Sequence, residues 1–392
     1  MIAHFVQDNG FLNYFIEIAE QIAPGQNIYI LLQTKGIKQK SSVFRIKHKN
    51  IIISSYPSPS LNQSLQDKGV THVIIHFLSK PAWQFVHDNA ESNYTFTWIF
   101  WGADYYSPYS LFTNELYDTR SLAYFQRYNT QTTLNNSFLN TLKRWYRRIL
   151  GDYLERKDFP KKANAIRRIN HFAHYNILDY ETVSKRLGFN GDYIPFFYFE
   201  YDYKNVPFTN ADKSTNFPKP FKIQIGNSAS LSNNHLSALQ AISSLSDETI
   251  EVLLPLSYGD KTYGKHVIHY ANSIFPGKIH PMHDFIPKDE YLEYLSSIDI
   301  AIMNHIRAES AGNVFMLLAM GKPVFMNSRN NLMQFLLNIG IDVREINMLQ
   351  GKTLQEVAAI SKQINTELNR TAIINYFSYN NAVKNIKGLL DG

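Results

Sequence analysis

The sequence predicts an α/β chain of two Rossmann-like halves facing across a cleft, and three observations carry that expectation. Short apolar runs alternate with helical periodicity in both halves, as strands covered on both faces of a parallel sheet require. A polar stretch at 205–220, holding Pro207, Pro218 and Pro220, separates the halves. At 392 residues the chain exceeds what one hydrophobic core usually serves.

The first half opens on IAHFV (2–6), followed by a helical pattern from Phe11 to Ile22. NIYILL (27–32), HVIIHF (72–77) and YTFTWIF (94–100) are β-branched or aromatic runs of strand length. The region 108–190 reads as mostly helical and aromatic-rich. In the second half, strands are expected at 221–225, 249–254, 299–303 and 322–326. Helices are expected at 233–245, 262–274, 288–297, 312–320 and 329–338. A last helical stretch, 376–390, is expected to pack back on the first half. The expected division is therefore 1–204, a linker at 205–220, 221–375, and a closing helix within 376–392.

Composition excludes several classes. Hydrophobic residues at 44% and aromatics at 14% suffice for packed cores and argue against global disorder. With no cysteine, disulfides, zinc-thiolate sites and thiol nucleophiles are excluded. The opening MIAHFVQDNGFLNYFIEIAEQIAPG lacks a basic lead and is cut by Asp8, Glu17 and Glu20, so it does not read as a secretory signal. No run reaches the length of a membrane span. The expected place is the cytoplasm.

Net charge is +6, but its distribution is uneven. Between Lys143 and Arg168 there are ten Lys or Arg against three acids, and the segment Lys143, Arg144, Trp145, Arg147, Arg148 interleaves aromatic and basic groups. Such a helix suits an anionic membrane surface, or is a solvated helix packing its apolar residues on the protein. No nucleic-acid module accompanies the patch, so nucleic acid is not expected as a partner.

Two segments suggest chemistry. In FKIQIGNSASLSNNHLSALQA (221–241) a strand breaks at Gly226-Asn227-Ser228 and reopens as a helix expected near Asn233. Glycine permits close backbone approach, and a helix start aims unpaired N–H groups at an anion; without a ligand the same pattern is a capped turn. In DIAIMNHIRAESAGNVFMLLAMGKPVFMN (299–327) a strand leads to His305, Arg307 and Glu309, then a Gly312-Asn313 helix start and a GKPV turn. This second segment resembles the nucleotide-sugar half of two-domain GT-B glycosyltransferases. That pattern commonly carries two glutamates eight positions apart, whereas here Glu309 is followed by Leu317.

WGADYY (101–106), IGNSASLSNNH (225–235) and AGNVFMLLAMGKPVFMN (311–327), with His4, His76 and PLSYG (255–259), resemble a narrower family. It is the transferases that add N-acetylfucosamine from its dTDP form to lipid II of enterobacterial common antigen. The resemblance implies a hexosyltransferase of GT-B fold that moves an acetamido-dideoxyhexose from a dTDP-sugar to a polyprenyl-diphosphate-linked glycan in surface polysaccharide synthesis. It would act peripherally on the inner face of the cell membrane. Alternatives are a GT-B transferase using UDP or GDP donors, and a non-catalytic nucleotide-sugar or glycan-binding module.

Transfer from a nucleotide diphosphate needs leaving-group stabilisation and, if it inverts, a base for the acceptor hydroxyl. Donor contacts are expected from Gly226, Asn227, Ser228, Tyr258, Arg307, Glu309, Gly312 and Asn313, with Arg307 as the cation. Lys261 and Lys265 are further candidates for charge neutralisation. Asp104 is the candidate base, or a turn cap; His76 is a candidate for the acceptor hydroxyl or lipid diphosphate, or a structural strand-end histidine. His4, Asp8 and Trp101 are expected to line the acceptor side. The second half offers no DxD-like pair of acids, so neither a metal nor a cofactor is expected.

Overall fold

The computed structural model describes residues 1–34, 45–48, 51–106, 111–131, 138–199, 201–209 and 220–392, with only the backbone described at 34, 59, 128–131, 138–150, 152 and 288. The chain forms two compact units, Met1–Leu111 with Ile149–Asp202 and Phe377–Gly392, and Phe112–Arg148 with Tyr203–Tyr376.

Among the described residues the first unit holds seven strands: β1 (Ile2–Val6), β2 (Asn27–Thr34), β3 (Ile51–Tyr56), β4 (His72–Ile75), β5 (Thr95–Ile99), β6 (His171–His174) and β7 (Asp192–Pro195). They pair in parallel in the order β3-β2-β1-β4-β5-β6-β7. Order reverses between β1 and β4, which makes that junction the topological switch point where doubly wound sheets open a crevice for ligands. β1 and β4 are buried along their whole length, as central strands covered on both faces must be. The helix Leu12–Ile22 packs Leu12, Phe15, Ile16 and Ala19 into a core that also takes Ile386, Leu389 and Leu390 from the helix Tyr379–Asp391.

The second unit holds β8 (Phe221–Ile225), β9 (Ile250–Pro255), β10 (Ile279–Met282), β11 (Ile300–Met303), β12 (Val324–Met326) and β13 (Arg344–Glu345). These too are parallel, in the order β10-β9-β8-β11-β12-β13, so the switch point lies between β8 and β11. Its core joins Ile223, Ile225, Leu239, Val252, Leu254, Val267, Ile302 and Phe325.

The structure departs from the expected elements in several places, beginning with β7, β10 and β13, which were not expected. β3 is an edge strand with Ile52 and Ile53 exposed, so its apolar run lacks a buried partner face. β6, only four residues, interrupts the region expected to be mostly helical. The helix expected at 233–245 is divided into a 3-10 turn at Leu231–Asn233, a helix at His235–Ala241 and a 3-10 turn at Ser243–Leu245. Asn234 enters the left-handed region at φ 50 and breaks the run. Finally, Phe112–Arg148 groups with the second unit rather than the first: Tyr124 packs against Tyr263 and His266, with ring centroids 5.3 and 4.4 Å away. Most of the expected linker, 210–219, lies outside the described residues.

Candidate functional site

In the second unit, the loops after β8, β9 and β11 meet at the carboxyl edge of the sheet. β8 and β11 are neighbours, with Ile225 beside Ile302, so Gly226–Ser228 and Asn304–Ser310 leave the sheet side by side. Gly226 has φ 67, and a Cβ there would come within 2.6 Å of both Asn233 Oδ1 and His235 Nε2. Glycine is thus required by the protein's own side chains. The Gly226 amide donates to Ile302 O at 2.9 Å and the Asn227 amide to Asn233 Oδ1 at 2.8 Å. These two backbone donors, expected to face a phosphate, are already occupied. The helix behind the loop starts at His235, not Asn233, and runs only seven residues.

The Asn227 side chain joins three loops. Its Nδ2 donates to the Tyr258 hydroxyl, so Oδ1 is the acceptor and His305 Nε2 carries the hydrogen of the 3.2 Å contact between them. Ser228 Oγ accepts from Asn233 Nδ2 at 3.1 Å. Gly259, at φ 110, lies so close to Ala229 that a Cβ would meet its carbonyl carbon at 2.6 Å. That contact holds exposed Tyr258 beside the β8 loop. A reciprocal pair, Asn234 Nδ2 to Asn304 O and Asn304 Nδ2 to Asn234 O, each 3.1 Å, fastens the β8 and β11 loops together.

Arg307 and Glu309 form an ion pair at 3.0 Å, with side chains 9% and 18% exposed. Burial pushes the Glu309 carboxyl up, but Arg307, His305 and a hydrogen bond from Ser232 outweigh it and leave the group below its ordinary range. Burial lowers His305 to about 4 and His235 to about 3, so both are neutral near pH 7. Ser310, at φ 59, opens the nine-residue helix Ala311–Ala319; Gly312 is exposed, and Asn313 Oδ1 accepts from the Tyr291 hydroxyl at 2.8 Å. Lys261 and Lys265 are exposed on the helix Lys261–Ile274.

The first unit brings together several expected residues in other roles. Asp104 is 2% exposed, and its carboxylate takes three donors: Leu78 N at 3.0 Å, Trp98 Nε1 at 2.7 Å and Trp101 N at 3.2 Å. Burial raises its pKa against the pull of these donors and of Lys162. A sealed carboxylate with three donors ties the β4 and β5 loops together, the cap-like role that the sequence allows Asp104 beside that of base. His4 and His76 are fully buried, and His76 takes the place of the strand-end histidine that stood as the alternative to an acceptor contact. Asn27 Nδ2 donates to Ala23 O, so its Oδ1 accepts from His4 Nε2 at 3.0 Å. His4 Nδ1 then accepts from His76 Nε2 at 3.1 Å, and His76 Nδ1 accepts from the Tyr198 hydroxyl at 2.7 Å. Every ring nitrogen is used, so neither histidine can reach an acceptor directly. Burial lowers His4 to about 3 and carries His76 well below its ordinary value. Asp8 Oδ1 accepts from the Arg45 and Ile46 amides, while Trp101 is half-buried.

The side chains of Lys143, Arg144, Trp145, Arg147 and Arg148 lie outside the described residues; their backbone is helical within Phe138–Ile166. Among the described residues no helix is long and apolar enough to cross a membrane, and no group of three or more His, Asp or Glu is gathered to hold a metal ion.

Residues 165–390 match the model of the 4-alpha-L-fucosyltransferase glycosyl transferase group 56 family, which spans more than half of the chain. The chain belongs to this glycosyltransferase family. The match takes in both segments of the second-unit site as well as β6, β7 and Tyr198, but not His4, His76 or Trp101. Solved structures show the fold. A glycosyltransferase from Rickettsia africae is similar at 13% identity and TM-score 0.56, and sucrose-phosphate synthase from Thermosynechococcus elongatus at 10% and 0.60. HepE from Anabaena, in complex with UDP and glucose, is similar at 12% and 0.57. Each match covers 100% of this chain and 98% of the other. This member of group 56 therefore has the GT-B fold, with a parallel sheet in each of two domains.

Proposed function

We propose that this glycosyltransferase moves an acetamido-dideoxyhexose, of the N-acetylfucosamine kind, from its dTDP form onto a polyprenyl-diphosphate-linked glycan, at the inner face of the cell membrane. The observation that carries the donor half is the junction of β8 and β11, where Arg307, Glu309 and the start of the helix Ala311–Ala319 adjoin the Asn227–Tyr258 pair. Arg307 and the helix dipole would meet the charge that builds on the departing diphosphate, with Gly312 leaving room for it. Glu309 holds the guanidinium in place, and Tyr258 presents an exposed ring to the base. Ser228 and Asn313 supply neutral polar contacts. Gly226 serves by letting the loop close on Asn233 and His235.

The sugar and the lipid acceptor rest on the motifs WGADYY, IGNSASLSNNH and AGNVFMLLAMGKPVFMN and on the fucosyltransferase description of the family. The membrane role rests on the cationic, aromatic stretch 143–168. A ligand that binds only the folded protein raises its melting temperature, so titration with dTDP, UDP and GDP tests the donor. The largest shift is expected with dTDP. A shift with UDP or GDP alone would replace the donor, and no shift with any would remove the site. Turnover is expected to survive EDTA; abolition by EDTA with recovery on adding Mg²⁺ would make the reaction metal-dependent.

A further inference from the structure

Four aromatic side chains collect at the carboxyl edge of the first unit's sheet, around its switch point. Phe11 follows β1, Phe77 follows β4, Trp101 follows β5 and Tyr198 follows β7. Trp101 is the hub: its ring lies 5.0 Å from Phe11, 5.5 Å from Phe77 and 6.0 Å from Tyr198, and Phe11 and Tyr198 are 4.9 Å apart. All four are partly exposed, whereas Phe5, Phe15, Tyr29, Trp98 and Phe100 in the same unit are buried. Phe11, Trp101 and Tyr198 lean on that unit's core from the carboxyl edge of the sheet while each remains partly exposed.

We propose that Phe11, Phe77, Trp101 and Tyr198 form a saccharide subsite that stacks against the apolar face of an acceptor pyranose. This rests on the transferase reading and adds where, and by what chemistry, the acceptor glycan is held. The support beneath the rings is specific. Asp104 accepts from Trp101 N and Leu78 N, fixing Trp101 and the segment next to Phe77 with one carboxylate. The Asn27–His4–His76 chain ends on the Tyr198 hydroxyl and fixes that ring. Both histidines are neutral near pH 7, and the charged groups beneath the rings, Asp104 and Lys162, are buried beside one another, so the floor presents aromatic faces to solvent. That combination suits a neutral sugar ring, whereas a phosphate calls for fixed cations. Asp104 is accordingly a positioning residue.

The test is fluorescence titration of the full chain with methyl N-acetyl-β-glucosaminide and, separately, geranyl diphosphate, joined to kinetics. The saccharide is expected to give a saturable change in tryptophan emission that Trp101→Phe abolishes; geranyl diphosphate should not reproduce it. Trp101→Ala should raise the acceptor KM roughly tenfold, a loss of stacking, with the donor KM unmoved. Asp104→Asn, which sets an amide against one of the three donors, should raise the acceptor KM in the same way. The proposal is overturned if geranyl diphosphate alone changes the emission, if Trp101→Ala leaves the acceptor KM unchanged, or if Asp104→Asn lowers kcat with KM unaltered. The binding measurement needs no turnover, so its failure is distinguishable from an error in the donor or the reaction.

Discussion

Arg307 and Glu309 carry the largest electrostatic stake of any single pair in the second-unit site, because both are withdrawn from water and each neutralises the other. Removing one partner of a buried pair typically costs about 3 kcal/mol or more, since the other charge is stranded. Arg307→Ala is expected to lower the melting temperature and to abolish stabilisation by dTDP; a variant that melts normally and still responds to dTDP would exclude both roles. Glu309 has a folded pKa below its unfolded one, so its contribution is present above the ordinary carboxyl range and is lost as pH falls through the folded value. Arg307, Glu309 and Tyr258 could be picked out in the sequence because a loop following an apolar strand is where functional polar groups gather. Asp104 follows the same pattern, yet its carboxylate is held by Leu78 and Trp98, contacts that no local spacing reveals. Tyr198 escaped notice because its place depends on β7, a short strand at the end of the sheet.

At the level of elements, the tightness of the loop after β8 makes a clear demand. Gly226→Ala must place a methyl group against Asn233 and His235 and hold alanine at positive φ, and is expected to cost about 1–3 kcal/mol. Urea unfolding would measure it, and a change under a few tenths of a kcal/mol would show that the loop is free to reshape. Central strands β1, β4, β8 and β11 were legible because near-continuous burial leaves short runs dominated by apolar residues, broken only by His4, His72, Lys222 and Gln224. Edge strands β3 and β7, and the two-residue β13, carry weaker signals because exposure dilutes the pattern. The interruption at Asn234 was hidden for another reason. Its left-handed turn is secured by Asn304 and Leu116, both distant in sequence.

For the molecule as a whole, buried histidines set a limit on acid tolerance. His4 and His235 titrate at about 3 and His72 and His305 at about 4, in each case chiefly because burial disfavours the charged ring. The unfolded chain takes up these protons near pH 6.5 while the folded one does not, so stability falls as pH drops from there toward 4. Each such group forfeits on the order of 2 kcal/mol by pH 5, against a typical total of about 5–15 kcal/mol. The urea midpoint should fall steeply between pH 6.5 and 5, and His4→Gln should flatten the slope by about one proton. A midpoint level across that interval would contradict the assignment. The alternation of strands and helices made both sheets readable from the sequence, but not the grouping of Phe112–Arg148, which follows from the seat of Tyr124 beside Tyr263 rather than from chain order.

The helix Tyr379–Asp391 supplies Ile386, Leu389 and Leu390 to a core begun by Ile2, Val6 and Leu12. Three such side chains are worth about 2 kcal/mol each, enough to decide whether that unit stands. A ribosome making this chain therefore releases the earliest strands long before their last packing partner exists. Nascent chains halted before Tyr379 should remain open to protease in the first hundred residues, and become resistant only once the closing helix has cleared the exit tunnel.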